Sequence, residues 1–113
     1  MRRKLESPFQ SRWIKRLEAE FPGCIILKLD ANYRQGIPDL LMLWEIYWAT
    51  FEVKKTRPTK ESDFEPNQEW YIAKMDSMSF SACVYPENEE EIVDALQRQF
   101  KTRRAALVSK RKQ

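Results

Sequence analysis

Asp39 and Glu52, with Lys54 two positions further on, are the side chains of this sequence best equipped for chemistry. They sit in Gly36-Ile37-Pro38-Asp39 and Phe51-Glu52-Val53-Lys54-Lys55, on either side of an apolar run. Successive side chains on a strand alternate faces, so Glu52 and Lys54 share one. The midpoint of Asp39 and Glu52 falls between Glu45 and Ile46. A hairpin turning there sets the two carboxylates side by side on neighbouring strands. Paired carboxylates hold a divalent cation through hard oxygen donors, and an adjacent ammonium steers a water or neutralises a phosphate. That is equipment for metal-assisted phosphodiester hydrolysis. Each residue alone has a plainer use: Asp after Pro commonly caps a turn, and Glu-Val-Lys is commonly an ion-pairing sheet face.

Composition narrows the chemistry. The chain has no histidine, which removes Ser-His and Cys-His nucleophiles. Cys24 and Cys83 stand apart in apolar runs and read as reduced core thiols, not zinc ligands. The 113 residues suit one domain, and 42% hydrophobic with 12% aromatic content suffices for a core. No apolar run approaches the ~18–20 residues that cross a membrane. The basic start, Met1-Arg2-Arg3-Lys4, is followed by no apolar stretch, so it is not a secretory signal and a cytoplasmic, intracellular chain is expected. Net charge is +3, but Lys101, Arg103, Arg104, Lys110, Arg111 and Lys112 form an acid-free run that leaves the rest net acidic. The expected division is a domain over 1–100 and a basic tail over 101–113. Such a tail either meets a polyanion or is simply solvated.

The elements that must position the carboxylates are legible in outline. Ser7-Pro8-Phe9-Gln10 predicts a helix start with Ser7 as N-cap and Gln10 completing a capping box. Phe9, Trp13, Leu17 and Phe21, with Ile14, then form an apolar stripe. Cys24–Leu29 reads as a buried strand, and the stretch from Asp30 to Pro38 as a loop. Strands over about Asp39–Trp44 and Tyr47–Lys54 follow, although Glu45-Ile46 is not a favoured two-residue turn. A mobile loop over Thr56–Glu65 leads to a helix from Pro66, then to a strand at Phe80–Tyr85. A last helix, capped by Asn88 with Glu91 at its third position, buries Ile92, Val93, Leu96 and Phe100. The order is αβββαβα: an α/β fold with a small mixed sheet.

Gly36-Ile37-Pro38-Asp39, followed after a hairpin by Glu52-Val53-Lys54, resembles the signature of the PD-(D/E)XK nuclease superfamily. The element order resembles that superfamily's restriction-endonuclease-like αβββαβ core over about Glu6 to Tyr85, here with a C-terminal helix added. The compact length, the Gly-Ile-Pro-Asp form and the later Gln68 are most similar to stand-alone VRR-NUC domains. Archaeal-type Holliday-junction resolvases are similar at a lower level. The resemblance implies a Mg²⁺- or Mn²⁺-dependent DNA endonuclease, with branched or structured DNA among its candidate substrates. Asp39 and Glu52 would then be metal ligands, joined by the Val53 carbonyl and by Glu6, the best match to the family's first-helix acid, which falls just before the helix or in its first turn. Lys54 would orient the attacking water or stabilise charge on the phosphate, and Gln68 would stand near the active site. Lys28, Arg34 and Lys55 flank the site and could meet phosphates, as could Lys110, Arg111 and Lys112 in the tail.

Two other readings compete: a nuclease-like module that binds nucleic acid without cutting it, and an interaction domain with an ordinary ion-paired sheet. Cutting two strands calls for two sites, so a homodimer is expected, as in the resolvase-like relatives. An exposed aromatic hairpin, Trp44–Trp48, is its candidate surface, although Trp44, Tyr47 and Trp48 read as packing more readily than as base-stacking residues.

Overall fold

A computed structural model describes residues 7–111, the side chains of Ser109 and Arg111 excepted. Glu6 and Lys112, both expected to have roles, lie outside the described residues. Ser7 opens the first helix, α1 (Pro8–Glu20): its Oγ accepts a hydrogen bond from Gln10 N at 3.1 Å. Pro8 takes the first helical position, where no backbone N–H is needed. Phe9, Trp13 and Leu17 then point one way and, with Phe21, are buried.

Four strands form one sheet in the order β1 (Ile25–Lys28), β2 (Leu40–Trp44), β3 (Tyr47–Val53), β4 (Phe80–Val84). The first two pairings are antiparallel, and β3–β4 is parallel. Parallel neighbours need a crossover, and helix α2 (Gln68–Met78) supplies it. Helix α3 (Glu89–Leu96) follows β4. The expected αβββαβα order and the small mixed sheet are what the chain forms.

Alternation along the strands divides the sheet into two faces. On one, Leu40, Met42, Ala49, Phe51, Phe80 and Val84 are buried in the core with α1 and α3. Trp13 meets Phe51 edge-on at 5.3 Å between ring centroids, and Phe100 lies edge-on to both Phe21 and Phe80. Arg16 locks α1 to α3 through a two-pronged pair with Glu90, at 2.7 and 3.0 Å. On the other face the Thr50 hydroxyl donates to Ser81 Oγ at 2.8 Å, with Met75 of α2 beside it. Glu52 and Lys54 belong to this second face by parity.

Several expectations need correcting. β1 is not a buried strand: Ile25 and Leu27 are 56% and 44% exposed. The 11 residues of α2 lie over β3 and β4, which leaves β1 as an edge with its second face open to water. The aromatic hairpin is not an exposed surface either. Trp44 is buried edge-on against Phe21, and Tyr47 stacks between Trp44 and Phe100. These rings pack, as their apolar neighbours implied. Helix α2 begins at Gln68 rather than Pro66, because Asn67 takes a left-handed conformation, φ 72°. Asn88 makes no side-chain cap to α3; its amide closes the preceding turn, accepting from Tyr85 N and donating to Cys83 O. Beyond Leu96 the helix does not stop. It passes through one π turn, Gln97–Lys101, into α4 (Thr102–Arg111), so residues 101–111 are helical.

The core makes a direct stability test available. Trp13→Ala removes a fully buried indole and its edge contact with Phe51. Chemical unfolding should show a loss of about 3–5 kcal/mol; a loss under about 1 kcal/mol would mean that α1 is not the lid of this core.

Candidate active site

The site is assembled at the open end of the β2–β3 hairpin. Trp44 pairs with Tyr47 at the turn and Leu40 with Phe51 at the other end, so Asp39 lies opposite Glu52. The turn itself is Glu45-Ile46, and Glu45 accepts a left-handed φ of 57° to make it. One oxygen of Asp39 accepts a hydrogen bond from Val53 N at 2.8 Å, which holds that carboxylate across the strand gap beside Glu52. The Asp39 carbonyl in turn accepts from Leu29 N, tying the end of β2 to the end of β1. Glu52 is 1% exposed. A carboxylate that deep, with a second one across the ladder, makes a hard-oxygen donor pair that gains from a divalent cation.

Lys54 stands two residues beyond Glu52 on the same face. Its Nζ donates to Gln68 Oε1 at 3.2 Å, and the Phe64 ring lies 5.4 Å from the ammonium. Gln68 is itself buried, and the same Oε1 accepts from Glu65 N at 2.8 Å. Gln68 is thus a fixed acceptor that aims the lysine, and α2 enters the site through its first residue. The structure brings together Asp39, Glu52, Lys54 and Gln68, the core of the expected set.

What sets the Asp39 loop against α2 is a contact without side chains. Gly36 has φ 91°, and a Cβ built there would stand 2.5 Å from the Pro66 carbonyl oxygen and 2.7 Å from Asn67 Cβ. Two left-handed residues, Gly36 and Asn67, therefore press backbone to backbone, one three residues before Asp39 and the other immediately before Gln68. Only glycine permits that approach. The sequence pointed to the glycine through its motif, but nothing local to Pro66-Asn67 announced its partner.

Beside Asp39 opens a cleft of about 660 Å³ lined by Lys28, Asp30, Asn32, Gly36, Asp39, Glu65 and Gln68. Lys28 thus reaches the site, as expected. Asp30, Asn32 and Glu65 are lining residues that the sequence did not single out. Arg34 is exposed on the loop that walls the cleft, and Lys55 is exposed just past Lys54. Lys110 and Arg111 are on α4 and do not join this group. Cys83 pairs in register with Glu52, and burial, reinforced by the Glu52 charge, pushes its thiol up to about 11. It sits there as a neutral neighbour of the site. Among the described residues, no three Asp, Glu, His or Cys side chains gather into a metal cage. Mg²⁺ does not require one, because it keeps several waters and takes one or two carboxylates. The Asp39–Glu52 pair fits that demand.

A hairpin thus sets two carboxylates and a lysine on one face, and a crossover helix delivers a glutamine to them. A solved structure of a VRR_NUC domain superposes on 80% of this chain and 95% of its own, with a TM-score of 0.54 and 26% sequence identity. The chain has a VRR-NUC-like nuclease fold. No protein-family model and no curated protein matches it. No helix among the described residues is long and apolar enough to cross a membrane.

Gly36→Ala tests the backbone contact, with Gly23→Ala as its control. Gly23 has φ 87°, but a methyl group added there would meet nothing within 4 Å, so its cost is backbone strain alone, about 1 kcal/mol. Gly36→Ala adds a collision with backbone and should cost roughly 2–3 kcal/mol in the same unfolding titration. Equal costs at the two glycines would show that the loop and α2 separate freely.

Proposed function

We propose that this chain is a divalent-metal-dependent DNA endonuclease. The observation that carries the reading is the placement of Asp39 opposite Glu52 with Lys54 held on the same face by Gln68, all within a VRR-NUC-like fold. Mg²⁺ or Mn²⁺ would be held by Asp39 and Glu52, with the Val53 carbonyl and Glu6 as further donors. When bound, the cation supplies Lewis acidity and a fixed orientation to the phosphodiester. The protein's own residues do the rest. Asp39, fixed by Val53 N–H, is held across the strand gap beside Glu52. Lys54 offers ammonium protons to the attacking water or to a phosphate oxygen as negative charge grows there. Gln68 holds Lys54 in that direction. Lys28, Arg34 and Lys55 meet flanking phosphates around the cleft.

The metal-binding pair and the lysine separate in kinetics. Asp39→Asn or Glu52→Gln should abolish Mg²⁺-dependent cleavage, a fall of at least about 10³ in kcat, with an unchanged circular dichroism spectrum. Lys54→Ala should lower turnover about 10²-fold while calorimetric Mn²⁺ affinity stays near wild type. Near-wild-type cutting by either carboxylate variant sinks the mechanism. Fully retained DNA binding by a wild-type protein that cuts nothing would favour the binding-module alternative.

The working unit is a homodimer, because one chain holds one site and paired strand cleavage needs two. Its surface is β1 rather than the aromatic hairpin. β1 is a sheet edge whose Ile25 and Leu27, with Leu43 beside them, are exposed. An antiparallel edge is self-complementary across a two-fold axis. Leu27→Glu should therefore convert a dimer seen by analytical ultracentrifugation at micromolar concentration into a monomer that nicks. A wild type that sediments as a monomer throughout removes the dimer and leaves the nuclease reading in place.

A further inference from the structure

We infer that α4 is a remote phosphate-binding arm that grips a duplex segment roughly five to nine base pairs from the scissile phosphate. The inference rests on the nuclease reading for the position of the cut, and on geometry for the arm. α3 starts at Glu89, just past the end of β4, which is the end of the sheet that holds Glu52 and Cys83. From there the rod runs back along the sheet. Gln99 Nε2 donates to the carbonyl of Ser79, at the opposite end of β4. Arg104 pairs with Glu45, in the hairpin turn, at 2.9 Å and lies over the Trp44 ring.

From Asp39 to Glu45 the strand rises about 20 Å, at ~3.3 Å per residue. From Arg104 to Arg111 the helix adds about 10 Å more in the direction away from the site, at ~1.5 Å per residue. Separations from the hairpin turn to the end of the helix correspond to roughly five to nine base pairs at ~3.4 Å each. The overhang carries Lys110 and Arg111 and no acid, and Arg103 stands at its root beside the hairpin turn. Arg103 and Lys110 are exposed, while Arg104 is committed to Glu45. Charge complementarity selects a polyanion as occupant. The acids at the start of α3 are poorer partners from another copy, because Glu89 and Glu90 already hold Arg12 and Arg16.

The test uses the full chain and the variant Arg103→Glu/Lys110→Glu, with circular dichroism and melting to confirm an unchanged fold. On a fluorescent duplex of about 30 base pairs without metal, affinity should fall about tenfold, and the slope of log K against log salt should flatten by roughly two units. In cleavage, the preference in kcat/KM for flanks of about 20 base pairs over flanks of about 4 should shrink about tenfold in the variant. An unchanged affinity and slope overturns the arm. So does an unchanged preference, which would place α4 near the cut. Loss of the dimer in the variant, with DNA affinity retained, assigns the arm to a second copy and also overturns it. Absence of cleavage by both proteins sinks the nuclease reading and leaves the anisotropy to decide the arm.

Discussion

The register of one hairpin is the constraint on which the rest depends. Asp39 faces Glu52 only because the chain reverses at Glu45-Ile46, with Trp44 directly opposite Tyr47. A slip of one residue would turn Glu52 and Lys54 toward the core and Phe51 toward water. The cost would be severe on both sides: a charge pair among Trp13, Phe100 and Phe80, and an aromatic ring on the surface. Core packing therefore protects the chemistry. Trp13 edge-on to Phe51 enforces the pairing that sets two carboxylates side by side, so the apolar face acts as the alignment gauge for the polar one.

The second alignment is of a different kind. Gly36 against Pro66-Asn67 is a junction of backbones, and it fixes the Asp39 loop relative to the first turn of α2. Through Gln68 the same junction reaches Lys54. The site is thus defined by a ladder in one direction and by a close packing of two left-handed residues in the other. Side-chain flexibility enters at neither joint.

Much of this was readable from residue order, and the parts that were not have physical reasons. Ser7-Pro8 and the Phe9-Trp13-Leu17 stripe act locally, so α1 was legible. The hairpin register followed from period-two alternation and a midpoint, despite a turn whose left-handed Glu45 no propensity favours. The exposure of β1 was not legible, since an apolar run looks the same whether or not a helix covers it, and α2 is too short to cover four strands. Helix α4 was hidden for a related reason. Its many charges look like a tail, yet α3 has already met the cost of nucleation, and each added residue needs only to propagate. Asp39, Glu52 and Lys54 were visible through their spacing and Gln68 through the family resemblance; Asn67, which precedes Gln68 in a left-handed conformation, was visible only in three dimensions.

The π turn at Gln97–Lys101 uncouples two design problems. Val93 and Leu96 before it, and Phe100 within it, answer to the core; downstream, Arg104 ties the helix to the hairpin turn. Adding or removing one residue at such a turn rotates everything after it by about 100° while leaving the preceding face where it was. The aim of the basic segment can therefore drift among descendants of this chain by single-codon insertions and deletions, with the hairpin and its carboxylate pair held constant. The end of the π turn, past Phe100, is a place where reach and direction can evolve without renegotiating the fold.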